Sequence, residues 1–156
     1  MLEPVMSNEV GLAPNQPVWL TNFVDQYQKL SVDNLELLST IYHTDVVFQD
    51  PIHEIKGFDA LNDYFKNLYQ NLAACYFVVN KVLCEDDQAA VYWTMTYVHP
   101  KLANGKAVSV EGHSLLKGAD NKVIYHRDYL DVGAMVYEHV PVIGKAVRWL
   151  KNRMAG

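Results

Sequence analysis

Between residues 72 and 75 the hydrophobic pattern of this chain turns from mainly helical spacing to a long β-rich stretch, and that change restricts it to a few architectures. Upstream, Trp19, Phe23, Tyr27 and Leu30 recur at spacings of four, four and three, with Leu20 and Val24 widening the stripe, as an amphipathic helix requires. Ser31 and Asp33 offer caps to a second short helix with Leu35, Leu38, Ile41 and Tyr42 as its apolar face. The run Asp45 to Asp50 is β-rich and is stopped by Pro51, because proline cannot continue a ladder. After Gly57, the residues Leu61, Tyr64, Phe65, Leu68, Tyr69 and Leu72 predict a third helix of about 15 residues. Downstream, segments 75–84, 88–99, 106–117 and 122–131 are rich in Val, Tyr, Trp and Thr. They are divided by Glu85-Asp86-Asp87, Asn104-Gly105 and Gly118-Ala119-Asp120-Asn121, and read as four strands joined by hairpins. Helices first and an antiparallel meander afterwards is an α+β pattern, a curved sheet wrapped around helices packed on one face.

Composition sets the bounds. A chain of 156 residues, 50% hydrophobic, forms one domain that buries roughly 70% of its unfolded surface, enough for a core and a small cavity. The formal charge of −5 argues against a nucleic-acid surface. Cys75 and Cys84 lie nine apart in a predicted strand, which places them on opposite faces and leaves them unbridged, as in a reducing compartment. No run of about 18 apolar residues and no secretory pattern is present, so the expected location is cytoplasmic. Residues 1–16, with Pro4, Gly11, Pro14 and Asn15, are expected to be a flexible leader, residues 17–131 the domain, and residues 132–156 a C-terminal helical extension. In that extension Ile143, Val147, Leu150 and Met154 fall at intervals of four, three and four, among Lys145, Arg148, Lys151 and Arg153. This is a basic amphipathic helix, a pattern shared by lids, dimer contacts and membrane-surface helices.

Alternation decides which side chains can meet. In 88–99 one face carries Val91, Trp93, Met95 and Tyr97 and the other Tyr92, Thr94, Thr96 and Val98; the bulkier set suits a concave interior. In 106–117 the choice is Ser109, Glu111, His113 and Leu115 against Val108, Val110, Gly112 and Ser114. In 122–131 it is Ile124, His126, Asp128 and Leu130 against Val123, Tyr125, Arg127, Tyr129 and Asp131. Periodicity alone leaves both choices open, with one side of the sheet available to helices and the other to a second subunit.

The run Tyr42-His43-Thr44-Asp45-Val46-Val47-Phe48-Gln49-Asp50-Pro51, followed by Gly57 and a helix, resembles the signature of the nuclear transport factor 2-like superfamily. This group includes ketosteroid isomerases, limonene epoxide hydrolases and SnoaL-like polyketide cyclases. The segment Lys122 to Asp131 is similar to the last strand of the epoxide hydrolase and SnoaL-like branches. The resemblance implies a cone-shaped domain over residues 17–131 whose sheet curls around a largely apolar pocket, as a homodimer. It turns Trp93, Met95, Tyr97, His113 and Asp128 toward the cavity. Asp50 matches the carboxylate with which ketosteroid isomerases take a proton next to a carbonyl, and His113 matches the place of their protonated hydrogen-bond donor. Tyr27 falls near their phenolic donor if one residue is deleted between the first two helices. Asp128 matches one catalytic carboxylate of the epoxide hydrolases, but Met95 and Tyr97 stand where the arginine and second aspartate would be, which argues against epoxide hydrolysis.

Each candidate also has a plainer reading. Asp50 before a proline commonly caps a turn, His113 could be a satisfied core or interface residue, Tyr27 could be core packing with its hydroxyl at the edge, and one of Asp128 and Asp131 could pair with Arg127 or cap the turn into the tail. Phe48, Trp93, Met95, Tyr97 and His126 are expected to shape the pocket for a flat apolar ligand. The histidines form no helical or alternate-strand pair, so no metal site and no cofactor are expected. The expectation is a binder of a small apolar carbonyl compound, an isomerase or cyclase in which Asp50 takes the proton, His113 with Tyr27 or Tyr97 holds the oxyanion, and Asp128 orients His126 or acts as a second acid–base group. The alternative is a non-catalytic ligand-binding or dimerisation module of the same fold.

Overall fold

The computed structural model describes residues 11–156, so the first ten residues of the expected leader lie outside the described residues. Helix α1 (Val18–Tyr27) follows Pro17 and buries Trp19, Leu20, Phe23, Val24 and Tyr27, the stripe its spacing predicts. A 3-10 turn at Leu35–Leu37 runs into the single turn of α2 (Leu38–Ile41), shorter than predicted because Tyr42 opens a strand instead of closing a helix. Strand β1 (Tyr42–Gln49) therefore begins three residues earlier than the sequence reading, and the added residues include the β-formers Tyr42 and Thr44. A three-residue strand, β2 (Glu54–Lys56), returns along β1 and was too short to carry a period of its own. Gly57, at φ +87°, turns the chain into α3 (Phe58–Gln70), whose apolar side buries Leu61, Phe65 and Tyr69.

The four long strands are β3 (Ala74–Glu85), β4 (Gln88–Val98), β5 (Ala107–Ala119) and β6 (Lys122–Leu130). They join the first two in one six-stranded sheet of order β2-β1-β6-β5-β4-β3. Every pairing is antiparallel except β1 with β6, which run parallel and bring the first strand beside the last. The register is interrupted at three places: one extra residue enters β3 at Asn80 and one enters β6 at Ile124, and β1 shifts against β6 between Tyr42 and Val47. The first bulge corrects the sequence reading of the cysteines. It inverts the alternation beyond Asn80, so Cys84 joins buried Cys75 in packing against the core, both thiols remaining free.

The concave face is set by which residues are buried. Val91, Trp93 and Tyr97 of β4 face Val108, Val110, Ser114 and Leu116 of β5 and Val123 and His126 of β6, all packed beneath α1 and α3. Two glycines make room for the largest side chains. A Cβ at Gly112 would lie 2.4 Å from the Trp93 ring, and one at Gly118 would lie 2.1 Å from the Trp19 indole nitrogen. Gly118 thus belongs to β5, and the hairpin turn falls on Asp120 and Asn121, at φ 50° and 59°. The predicted extension is not one helix. Asp131 caps the single turn α4 (Val132–Met135), a 3-10 turn follows at Tyr137–His139, and Pro141 precedes α5 (Ile143–Met154). Among the described residues no helix is long and apolar enough to cross a membrane.

Candidate functional site

The sheet and helices enclose a cavity of about 200 Å³ between α3, the concave faces of β3, β4 and β6, and the α4 turn. Its walls are almost entirely apolar: Phe48, Phe65, Leu68, Phe77, Trp93, Met95 and Leu130 among others, with Met135 and Val136 of the extension at its edge. Burial here pushes the Cys75 thiol up to about 11, which keeps it protonated and unreactive. Two carboxylates, Asp50 and Asp128, lie on this wall, and hydrogen bonds distinguish them.

Asp50 sits where β1 ends and the turn to β2 begins, with 15% of its side chain exposed. Its Oδ1 accepts the backbone N–H groups of Ile52 (2.7 Å) and His53 (2.6 Å), and its Oδ2 accepts the Tyr64 hydroxyl (2.6 Å) from α3. The His53 ring nitrogen lies 3.1 Å from both oxygens. Burial by itself raises this carboxyl, but the bonds from Tyr64, Ile52 and His53 outweigh it and hold it below the ordinary value. The sequence reading placed a desolvated, strengthened base at this position. The structure places a stabilised carboxylate there, with both oxygens already engaged.

Asp128 is a different kind of carboxylate. β6 carries it, after the bulge at Ile124, on the same side as His126 and Leu130. The Ser114 hydroxyl (2.5 Å) and His126 Nε2 (2.6 Å) both bond its Oδ1, and its side chain is 14% exposed. His126 is fully buried, and its other nitrogen, Nδ1, lies 2.7 Å from the Tyr42 hydroxyl. Burial raises the Tyr42 phenol well above its ordinary value, so Tyr42 keeps its proton and has it to offer to Nδ1 whenever Nε2 carries the ring proton. In that tautomer Nε2 donates its proton to Asp128. The indole N–H of Trp93 donates to Ser114 (2.8 Å) and completes a chain from Tyr42 to Trp93 that passes through the carboxylate. No protein group among the described residues bonds Oδ2 of Asp128, whose residue borders the cavity.

Tyr27 also lines the cavity, stacked on Phe23 with centroids 4.6 Å apart, and burial first, then the Tyr42 and Asp128 oxygens, keep its phenol protonated. Phe48, Trp93, Met95 and Tyr97 are on the cavity wall; His126 lies behind it, beneath Phe48 and Tyr42. The Tyr97 hydroxyl donates to the Met135 carbonyl and ties β4 to the extension.

His113 is not at this site. On β5 the even residues face the cavity side, and His113 is on the reverse of the sheet, stacked between Tyr92 (5.2 Å) and Tyr129 (4.8 Å). It cannot meet Asp50 or Asp128 across the sheet. One residue of register separates His113 from Ser114, and in a strand that inverts the face. The sequence reading missed Ser114, Tyr42, Tyr64 and Tyr69. Ser114 had a signal: Val108, Val110 and Leu116 make its set the more apolar one. Tyr69 has a hydroxyl that is buried and, among the described residues, without a hydrogen-bond partner, on a residue that lines the cavity. Among the described residues no group of three or more His, Cys, Asp or Glu is arranged to hold a metal ion.

Comparison with known proteins agrees with this architecture. No curated protein matches the chain in sequence. Among solved structures, a protein named for SnoaL-like polyketide cyclases, from Jannaschia sp. CCS1, superposes with a TM-score of 0.67 at 16% identity, over 80% of this chain and 92% of that one. A protein of ketosteroid isomerase-like fold from Catenulispora acidiphila, solved with trimethylamine, gives 0.67 at 13% identity over 80% and 92%. An LEH-like epoxide hydrolase from M. tuberculosis gives 0.62 at 13% identity over 76% and 84%. At these identities the likeness is one of fold. Residues 23–126 match the SnoaL-like domain, a stretch that runs from α1 to His126, and the chain belongs to that family.

Proposed function

We propose that the cavity binds a small, largely apolar carbonyl compound and that Asp128 exchanges a proton with the carbon next to its carbonyl group. The observation that carries this reading is the setting of Asp128. Its Oδ1 is fixed by His126 and Ser114, while Oδ2 has no protein partner among the described residues and the residue borders a largely apolar hollow, where electrostatic contact with a bound ligand is stronger than in bulk water. His126 is a positioning residue: it holds the carboxylate and is itself oriented by Tyr42. Tyr69 and Tyr27, both on the cavity wall with phenols that burial keeps protonated, supply O–H donors to the oxygen that gains charge as the enolate forms. Isomerisation of a double bond and aldol-type ring closure both begin with this step. Asp50, with its oxygens taken by Tyr64 and the turn amides, holds the cavity rim and the β1–β2 turn.

The test is hydrogen–deuterium exchange at the α-carbon of planar, apolar ketones in deuterated buffer, followed by proton NMR. The protein accelerates exchange, and Asp128→Asn lowers the rate by about 10²-fold or more while Asp50→Asn lowers it by less than about tenfold. Exchange that survives in Asp128→Asn but is lost in Asp50→Asn transfers the role to Asp50. Ketone binding without exchange in the unaltered protein establishes a ligand-binding module in place of an enzyme.

A further inference from the structure

A helix on the outside of a globular domain ordinarily turns its apolar stripe inward and its charged side to water. α5 does the reverse. Gly144, Arg148 and Lys151, at spacings of four and three, share one side, and that side meets the body of the protein. Gly144 is buried so closely that a Cβ there would lie 2.3 Å from the Glu138 carbonyl oxygen. Arg148 donates to the same carbonyl at 2.6 Å, and Lys151 pairs with Asp131 (2.6 Å) and Glu138 (2.8 Å). The helix is thus docked by its polar side, chiefly on the Tyr137–His139 turn. Most of its apolar stripe is left uncovered: Ile143 is 50% exposed, Leu150 52% and Met154 81%, while Val147 is half-buried, and Trp149, 61% exposed, lies across Arg153 from the stripe.

Charge decides what such a face suits. α5 holds Lys145, Arg148, Lys151 and Arg153 and no acidic residue, on a chain of net charge −5. Two copies of this helix laid stripe to stripe would oppose cations on both sides with no anion on either to offset them. A surface of anionic lipid offers the complementary charge together with an apolar layer for the stripe. At 12 residues the helix is roughly 18 Å long, too short to span a bilayer and suited to lying in its surface. Arg153 lies over the Trp149 ring at 5.5 Å, an aromatic and a cation side by side, as at the boundary between headgroups and acyl chains. We propose that α5 is a membrane-surface helix that docks on anionic bilayers through Ile143, Leu150, Met154 and Trp149, with Lys145 and Arg153 among the lipid phosphates. The inference is independent of the chemistry assigned to the cavity.

Flotation of the full chain with vesicles tests it. The protein floats with phosphatidylcholine vesicles that contain phosphatidylglycerol and stays behind with phosphatidylcholine alone. Its tryptophan emission shifts to the blue on binding, and Trp149 reports that shift because Trp19 and Trp93 are already buried. The double variant Leu150→Asp/Met154→Asp stops flotation, and Lys145→Glu/Arg153→Glu weakens it by roughly tenfold or more, with thermal unfolding of both variants unchanged. The proposal is overturned if neither vesicle binds, or if the Asp substitutions leave flotation intact. It is equally overturned if they convert a dimer to a monomer in sizing chromatography without any lipid binding in the parent, which assigns the stripe to a second copy.

Discussion

Asp50 and Asp128 are the same residue type on the wall of one cavity, and the donors around them divide their roles. Asp50 is held by Tyr64 and the amides of Ile52 and His53 in a form that is more stable ionised than in water. The sign of the resulting pH dependence follows. A carboxyl whose folded pKa lies below its unfolded value of about 3.8 contributes stability at all pH above that value, and loses the contribution as pH falls through the folded value. Asp50→Asn, which offers an N–H₂ group where Tyr64 needs an acceptor, is expected to destabilise the protein by roughly 1–3 kcal/mol at neutral pH. Chemical denaturation at a series of pH values should show the gap between parent and variant closing as the medium is acidified below the carboxylate range. A gap independent of pH contradicts the account of Asp50. Both aspartates were legible in the sequence as candidates, because carboxylates at the end of a β-rich run and within a final strand are unusual enough to notice. Their environments were not legible: Tyr64 reaches Asp50 from a helix 14 residues on, and Ser114 reaches Asp128 from the neighbouring strand.

Among the elements, β5 shows what alternation can and cannot decide. The odd and even sets each mix polar and apolar residues over 108–115, and the assignment of His113 to the cavity came from the resemblance rather than from period. The buried Val108, Val110, Ser114 and Leu116 fix the other register, and Gly112 belongs with them because the Trp93 ring occupies the space of its missing side chain. Gly112→Ala is therefore expected to cost about 1–3 kcal/mol and to loosen the Trp93–Ser114 contact, visible as a weakened near-ultraviolet circular dichroism signal from the aromatic core. Unchanged stability and spectrum would show that the packing of Trp93 on Gly112 is not a constraint. The helices and long strands were legible because their periods are sustained. The bulges at Asn80 and Ile124 were not, since a single extra residue leaves composition unaltered while inverting every later side chain. β2 was missed for the opposite reason, being too short to have a period.

At the scale of the whole molecule, one curved sheet separates two faces with different chemistry. The concave side holds an apolar cavity with a chain of hydrogen bonds from Tyr42 through His126 and Asp128 to Ser114 and Trp93. The convex side carries the Tyr92, His113 and Tyr129 stack, away from the cavity. The extension touches both the cavity, through Met135 and Val136, and the exterior, through the outward stripe of α5. A planar, apolar enol mimic such as 2-naphthol distinguishes the two faces directly when titrated into isotopically labelled protein and followed by heteronuclear NMR. The predicted result is a saturable set of shift changes at Tyr27, Tyr69, Trp93, Asp128 and Leu130, with the His113, Tyr92 and Tyr129 signals unmoved. Changes confined to His113 and its two tyrosine neighbours, or no saturable change at all, would contradict the assignment of the concave cavity as the ligand site.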